Sequence, residues 1–331
     1  MSNKPRITFL IPFLGSWPRY INLFLAGCSA NTMARFLLCA ECPPAADLPD
    51  NVLHIPMSSA EILERIRKGT GLELAAIPGH KLCDFRPFFS TAFEDLLKNS
   101  EFWGYCDIDL IFGRMNQAID RALLESVDAF SAHPNQFVGH LTFVRNLPDI
   151  NRLAFEIPRW QELCLSPVAE HVDEERFSDV LKNHPRIRWW RPESLERELQ
   201  KDFCRHSVTF SFKGRIADMR PPSDVMVTWD QGRLWMERPA HRKTEILYVH
   251  FMGIKHPWHW PRDGFSSTGP HVFSKLGYGR IHSMEELKTW RARLLYGWQT
   301  ALFQTKIVCG RVLKKTFPPK LIRGLRRKIG I

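Results

Sequence analysis

Two aspartates stand one residue apart inside an apolar stretch, residues 102–113, whose sequence is FWGYCDIDLIFG. The stretch predicts a buried strand, and because successive side chains of a strand alternate between its two faces, Asp107 and Asp109 should point the same way. Carboxylates in apolar surroundings need a cation or a metal ion as partner. Their oxygens suit a hard divalent ion such as Mg²⁺ or Mn²⁺, and such an ion most often serves phosphate chemistry. The alternative is a pair of solvated aspartates in a turn.

Short apolar runs alternate with amphipathic segments on both sides of these aspartates. We predict strands over residues 7–11, 35–39, 52–55, 102–113, 139–146 and 245–250, and helices over residues 18–29, 59–68, 86–98, 115–125 and 283–303. Ser58 and Glu61 form a capping box that opens the second helix. Strands that alternate with helices indicate βαβ units and a largely parallel sheet, so the predicted fold class is α/β. Ligands of such sheets bind beyond the carboxyl ends of the strands, where the two aspartates fall.

The length and the cysteines set broad limits on the class of protein. The 331 residues suit one large α/β domain. The eight cysteines are scattered, and only Cys39 and Cys42 have close spacing. Because no second pair or histidine partners stand at zinc-site spacing, we expect reduced cysteines in a cytosolic protein. No apolar run reaches the ~18 residues of a membrane span.

The net charge of +11 is concentrated at the end of the chain. Nine basic residues and no acidic residue follow residue 305. The rest of the chain is nearly neutral, which argues against a nucleic-acid-binding protein.

The last residues have the pattern of a basic amphipathic helix. Leu321, Leu325 and Ile329 recur every four residues with Ile322 beside them, and the other side is filled by Lys320, Arg323, Arg326, Arg327 and Lys328. Such a pattern indicates binding to an anionic membrane surface, with a solvated tail as the alternative. We therefore divide the chain into a catalytic domain, residues 1–303, and a membrane-associating tail, residues 304–331, with residues 318–331 as the anchor. The predicted location is the inner face of the plasma membrane, on the cytoplasmic side.

Four blocks of sequence together resemble a known family. They are IPFLG at residues 11–15, KLCDFRP at 81–87, the aspartate stretch at 102–113, and GHLTFVRN at 139–146. Over about residues 5–260 the chain resembles a GT-A-type (Rossmann-like) glycosyltransferase, and more narrowly it is similar to bacterial polysaccharide-biosynthesis proteins of the DUF6625 type. The resemblance implies a nucleotide-sugar donor, a UDP-sugar above all, and Mn²⁺ or Mg²⁺ as cofactor.

The resemblance also implies a set of metal ligands. Asp109 would bind the metal directly, and Asp107 would bind it through water or hold the ribose. The third ligand would be His250, at the end of a predicted strand, because residues 250–258 are similar to the His-x-x-Gly-x-x-Lys-Pro-Trp signature of retaining GT-A enzymes. His256 occupies the Lys position of that signature and Lys255 precedes it, so either side chain is a candidate for the diphosphate.

Further residues are assigned to the donor and acceptor by the resemblance. The donor-pocket set is Pro12, Phe13 and Gly15, through backbone groups, with Lys81, Asp84 and Arg86. For Lys81 the alternative is a local ion pair. On the acceptor side, Asp173 and Glu174 are candidates for the catalytic base that an inverting enzyme would need; the alternative is a solvated helix start. His140 either lines the acceptor side or is structural.

The leading interpretation is a metal-dependent, hexosyltransferase-like enzyme of cell-surface polysaccharide biosynthesis. It would transfer a sugar to a glycan acceptor, expected to be lipid-linked, with retention of configuration favoured. One alternative is a metal-dependent phosphohydrolase of the haloacid-dehalogenase type, which requires Thr or Val where this chain has Ile111. The other is a non-catalytic protein associated with membrane or nucleic acid.

Overall fold

The computed structural model describes residues 6–44, 48–131, 136–190, 207–209, 226–237, 243–250, 270–274 and 277–278. Its strands are β1 (Ile7–Phe13), β2 (Ala34–Ala40), β3 (Val52–Pro56), β4 (Phe102–Cys106), β5 (Leu110–Phe112), β6 (Ala129–Ser131), β7 (Leu141–Arg145), β8 (Ser207–Thr209), β9 (Met226–Asp230), β10 (Arg233–Glu237), β11 (Thr244–Ile246), β12 (Tyr248–His250), β13 (His271–Ser274) and β14 (Gly277–Tyr278).

Short helices connect these strands. The α-helices are α1 (Ile21–Ser29), α2 (Ser59–Thr70), α3 (Phe89–Ala92), α4 (Glu94–Leu97), α5 (Arg121–Ser126), α6 (Pro148–Asn151), α7 (Trp160–Leu165) and α8 (Phe177–Asn183). Segments of 3₁₀-helix cover Gly79–Phe88, Met115–Gln117 and Leu153–Glu156, and one π-helical turn covers Val172–Arg176. No helix in these described ranges is long and apolar enough to cross a membrane.

A six-stranded sheet forms the centre of the molecule, with the order β3-β2-β1-β4-β7-β6. The first four of these strands are parallel, and β7 runs antiparallel to β4 and β6. Helices cover both faces: Phe24 of α1 packs on the face that carries Phe9, whereas Ile62 of α2 packs on the face that carries Leu10. The predicted fold class, a mostly parallel α/β sheet flanked by helices, is confirmed.

Two small sheets lie beside the central one. β5, β12 and β8 form a three-stranded sheet, and β11, β10, β9, β13 and β14 form a five-stranded sheet. The indole Nε1 of Trp229 in β9 donates a hydrogen bond of 3.0 Å to the carbonyl oxygen of Phe112 in β5. Through Trp229, the five-stranded sheet therefore packs directly against β5, the strand that follows the two aspartates.

Several predicted elements are confirmed by the structure, and others are divided. The capping box is present: Ser58 N donates to Glu61 Oε2 over 2.7 Å, and Glu61 N donates to Ser58 Oγ over 3.2 Å. The predicted strand 102–113 is wrong as a single element, because residues 107–109 form a turn between β4 and β5, which belong to different sheets. The predicted strand 245–250 likewise divides at Leu247 into β11 and β12.

Two predicted helices are shorter than expected. The segment 86–98 starts as 3₁₀-helix that contains Pro87, and Phe93 separates α3 from α4 with a non-helical φ of −125°. The segment 115–125 becomes α-helical only at Arg121, because Asp120 is the extended N-cap whose carboxylate accepts a hydrogen bond from Leu123 N. The helix predicted over 283–303 and the tail 304–331 lie outside the described residues.

Candidate metal centre

The turn that carries the two aspartates joins the central sheet to a small sheet. Cys106 ends β4 and Leu110 begins β5. The backbone N–H of Asp107 donates a hydrogen bond of 3.0 Å to the carbonyl oxygen of His140. The side chain of Asp109 is buried, whereas that of Asp107 is 30% exposed. The turn therefore holds one carboxylate in the interior and one at the solvent boundary.

Strand pairing brings His250 to this turn. β12 is antiparallel to β5, and His250 is the register partner of Leu110. Its Nε2 lies 3.3 Å from Asp109 Oδ2 and 3.9 Å from Asp107 Oδ2. One ligand atom from each of the three residues lies within 4.8 Å of the others. The structure thus brings together the three residues that were predicted to bind metal.

The chemistry of this set fits a divalent cation. Two carboxylates and one imidazole are ligands that Mn²⁺ accepts. His250 is 4% exposed, and in the described part of the chain neither of its ring nitrogens has a hydrogen-bond partner. Because buried polar atoms are normally satisfied, a ring nitrogen directed at two carboxylate oxygens is suited to metal ligation.

Arg86 connects the candidate metal ligands to a second acidic group. One terminal nitrogen of its guanidinium donates to Asp107 Oδ1. The other donates to the carbonyl oxygen of Gly139 over 2.8 Å and to Asp173 Oδ2 over 3.0 Å. The guanidinium also lies 5.6 Å from the ring centroid of Tyr105. Arg86 also lines the cavity described below, and its expected role in facing phosphate stays a prediction.

Asp173 and Glu174 lie next to Arg86 in the π-helical turn. Asp173 is buried, and burial is the main cause that raises its pKa to about 7, against the opposing effect of Arg86. Glu174 Oε1 accepts a hydrogen bond of 3.0 Å from Gly139 N. A Cβ at Gly139 would lie only 2.5 Å from Asp173 Oδ2 and 2.7 Å from an Arg86 guanidinium nitrogen, so a larger residue there would displace these side chains. In this arrangement Asp173 holds Arg86 and Glu174 holds the backbone of Gly139 beside the aspartate turn. The role of either carboxylate as catalytic base stays a prediction.

Lys81 and Asp84 form a buried ion pair with a Nζ–Oδ2 distance of 2.7 Å. Lys81 Nζ also donates to the carbonyl oxygens of Leu163 and Val168. Asp84 accepts hydrogen bonds from the backbone N–H groups of two residues that precede Asp173, at 2.8 and 3.0 Å. These contacts are those of the structural alternative, because they fasten the segment before Asp173 to the 3₁₀-helix.

A cavity of about 390 Å³ opens beside the candidate metal centre. Pro12 and Phe13, predicted to contact the donor, line it together with Arg86, Asp107 and Asp109, whereas Lys81, Asp84 and Gly15 are not among its lining residues. Gly15 has a φ of 109°, in the region that favours glycine, and thereby turns the chain away after β1.

Sequence reasoning missed Tyr20 as a residue of the site. It lines the cavity, and its pKa is raised by burial and by the charges of Asp109 and Asp107. Its position after the first strand was the available signal, because loops at the carboxyl ends of parallel strands meet at the ligand-binding edge. Lys255 and His256, and the rest of the signature after His250, lie outside the described residues.

The fold and the site together define an α/β protein with a candidate divalent-metal centre at the carboxyl end of β4. The chain belongs to the family of unknown function DUF6625, whose model matches residues 9–260. It is similar to a solved galactosyltransferase, LgtC, in complex with donor and acceptor sugar analogues, at 10% sequence identity and a TM-score of 0.35, over 79% of this chain and 92% of that one. None of the curated proteins matches the chain.

Proposed function

We propose that this protein is a metal-dependent glycosyltransferase that takes its sugar from a nucleoside-diphosphate donor. The observation that carries the proposal is the convergence of Asp107, Asp109 and His250, with both aspartates lining a cavity. The three side chains would hold Mn²⁺ or Mg²⁺, and such an ion neutralises the diphosphate leaving group when it is bound.

The chain's own residues prepare this site in defined ways. Arg86 engages Oδ1 of Asp107, which leaves Oδ2 on the side of His250. Apolar side chains such as Leu10 and Phe89 line the cavity together with the carboxylates, and apolar surroundings strengthen electrostatic interactions. Phe13, which ends β1 and lines the cavity, stacks on Trp17 of the following loop with the ring centroids 4.8 Å apart.

Finer features of the function are part of the proposal and come from the sequence. A UDP-sugar donor, retention of configuration and a lipid-linked glycan acceptor follow the resemblance of the motifs. Location at the inner face of the membrane follows the basic tail. A role in the synthesis of cell-surface polysaccharide would unite these features.

A panel of nucleotide sugars tests the proposal. The wild-type protein is incubated with each donor and Mn²⁺, and thermal stability and slow release of free sugar are measured. A cognate donor should raise the unfolding temperature by mass action. Asp109→Asn, which keeps the shape of the side chain, should abolish the Mn²⁺-dependent part of the shift and lower the rate of sugar release about a hundredfold or more.

Two results would contradict the proposal. One is full activity in EDTA or in the Asp109→Asn protein, which would exclude the metal centre. The other is release of inorganic phosphate from phosphate esters without release of sugar from any donor. That result would favour the phosphohydrolase, which also uses a metal bound by two aspartates.

A further inference from the structure

His140 contacts both parts of the candidate metal centre. Its carbonyl oxygen accepts the hydrogen bond from Asp107 N. Its imidazole ring is buried and stacks on the ring of His250, with the centroids 4.3 Å apart and the planes inclined by 27°. A single residue of the β6–β7 connection therefore touches the aspartate turn through its backbone and the third ligand through its side chain.

Tyr248 fixes the ring of His140 in turn. Tyr248 and His250 are two residues apart on β12, so their side chains lie on the same face of the strand. A hydrogen bond of 2.8 Å joins the Tyr248 hydroxyl to His140 Nε2. β12 is paired on both sides, with β5 and with β8, and this pairing gives the two side chains a rigid backbone.

A histidine ligand needs something to set the plane of its ring. In most metal sites the second ring nitrogen donates a hydrogen bond to a carboxylate or a carbonyl oxygen, and loss of such a partner weakens metal binding about 10- to 100-fold. In the described part of the chain, His250 Nδ1 has no such partner. The stacked ring of His140 is the contact that can take over this task.

We propose that His140 is a positioning residue that holds the imidazole of His250 in the orientation required for metal binding, and that Tyr248 locks His140 in place. The inference rests on the proposed function, because it needs the metal centre. It is distinct from a role of His140 in filling the core, because only a flat ring at this position sets the plane of its neighbour.

A series of variants separates these two roles. His140→Leu fills a similar volume without a flat ring. His140→Phe keeps the ring but loses the hydrogen bond to Tyr248, and Tyr248→Phe removes only the hydroxyl. His54→Leu is the matched control, because His54 likewise makes a hydrogen bond through Nε2, in its case with the carbonyl oxygen of Cys42, but belongs to the edge strand β3. Circular dichroism tests whether each full-length variant is folded.

Two measurements are made on each protein, with and without UDP. The affinity for Mn²⁺ is obtained from the electron paramagnetic resonance signal of the free ion. At saturating protein, the ¹⁴N modulation in pulsed experiments reports whether a histidine nitrogen binds the metal. This second readout concerns only bound Mn²⁺, so a general loss of stability does not change it.

The expected results follow the shape of the side chain. His140→Leu should weaken Mn²⁺ binding about tenfold or more and reduce the ¹⁴N modulation. His250→Ala, which removes the proposed ligand and serves as the reference, should abolish this modulation. His140→Phe should restore most of both signals, Tyr248→Phe should weaken binding to a smaller extent, and His54→Leu should match the wild type.

Other results would overturn the inference. If His140→Leu is folded and binds Mn²⁺ with wild-type affinity and ¹⁴N modulation, His140 only fills the core. If His140→Leu does not fold, Tyr248→Phe decides the question. Wild-type Mn²⁺ affinity and ¹⁴N modulation in Tyr248→Phe would then also show that His140 only fills the core. If the wild type itself binds no Mn²⁺ with or without UDP, the proposed function falls together with this inference, which distinguishes that failure from the other two.

Discussion

Arg86 places one positive charge between two carboxylates that belong to distant parts of the chain. Its guanidinium bonds Asp107 in the turn after β4 and Asp173 in the π-helical turn, and it is largely buried. Removal of one partner from a buried ion pair leaves an uncompensated charge, which is strongly destabilising. Arg86 therefore stabilises the geometry of the aspartate turn even without a ligand.

We predict that Arg86→Met lowers the free energy of unfolding by about 3–5 kcal/mol, measured by urea denaturation. Arg86→Lys should recover only part of the loss, because one ammonium group cannot reproduce the two-sided contacts of a guanidinium. The matched control is Arg121→Met, which removes an exposed helix pair with Glu125 and should change stability little. Equal effects of the two Met variants would refute the bridging role.

Asp173 should make stability depend on pH in an unusual direction. Burial raises its pKa to about 7, so between about pH 4 and pH 7 the folded state holds a proton that the unfolded chain has released. The stability due to this proton is fully present below about pH 4 and is lost as the pH rises through 7.

Asp173→Asn should therefore gain stability relative to the wild type when the pH is raised from about 5 to about 8. Thermal unfolding across this range gives the difference, and Glu175→Gln, on the exposed side of the same turn, is the control that should show no such trend. A constant difference between Asp173→Asn and the wild type would contradict the buried, protonated carboxyl.

At the scale of residues, the sequence predicted which candidate ligands come together better than it predicted their surroundings. Asp107, Asp109 and His250 were predicted as one set, because their types and the offsets after His250 resemble a known motif. The partners of Arg86 were not predictable in the same way, since Gly139 and Asp173 reach it only through the fold. Sequence motifs indicate which side chains can bind a metal. The residues that support these side chains, such as the partners of Arg86, are brought to them by tertiary contacts.

At the scale of elements, local sequence signals predicted the strands and the helix that depend on local interactions. Apolar runs located β1, β2 and β3, and a capping box located α2, within a few residues of the observed bounds. The strand at 102–113 was divided because its second half pairs with β12, far along the chain, rather than continuing in the central sheet. A largely apolar run does not by itself show where a chain passes from one sheet to another.

The contact between α1 and β5 offers a test of how the aspartate turn is positioned. A Cβ at Gly27 would lie 2.5 Å from the backbone nitrogen of Phe112, so glycine permits the helix to approach the strand. Asn31 reinforces this contact, because its Nδ2 donates to the carbonyl oxygens of Gly27 and Gly113, at 2.8 Å each. Any displacement of β5 also moves Asp109, which immediately precedes it.

We predict that Gly27→Ala destabilises the protein by about 1–3 kcal/mol through overpacking and weakens Mn²⁺ binding in the protein that remains folded. Gly79→Ala is the control, because a Cβ there meets no atom within 4 Å. Urea denaturation and Mn²⁺ titration of both variants provide the comparison. If Gly27→Ala is as stable as the control, helix and strand do not pack as closely as the structure indicates.

At the scale of the whole molecule, three sheets meet around the aspartate turn. The central sheet supplies β4, the three-stranded sheet supplies β5 and β12, and the five-stranded sheet packs on β5 through Trp229. A site built at such a junction requires the complete domain. The net positive charge, in contrast, is unevenly distributed along the sequence, since most of it lies after residue 305.

That asymmetry leads to the last prediction, which concerns residues 318–331, outside the described part of the chain. Contact with anionic lipid should fold the segment into a helix whose apolar residues enter the interface, while each Lys or Arg near the surface contributes about 1 kcal/mol. Deletion of 318–331 should abolish co-sedimentation with anionic liposomes and leave the release of sugar from the donor unchanged.

In the full-length protein, replacement of Leu321, Leu325 and Ile329 by Ser should weaken sedimentation at all salt concentrations, whereas the charge-dependent part of the binding should decline as salt screens it. Sedimentation of the truncated protein with the same liposomes, or its failure to fold, would show that the tail is not a separable membrane anchor.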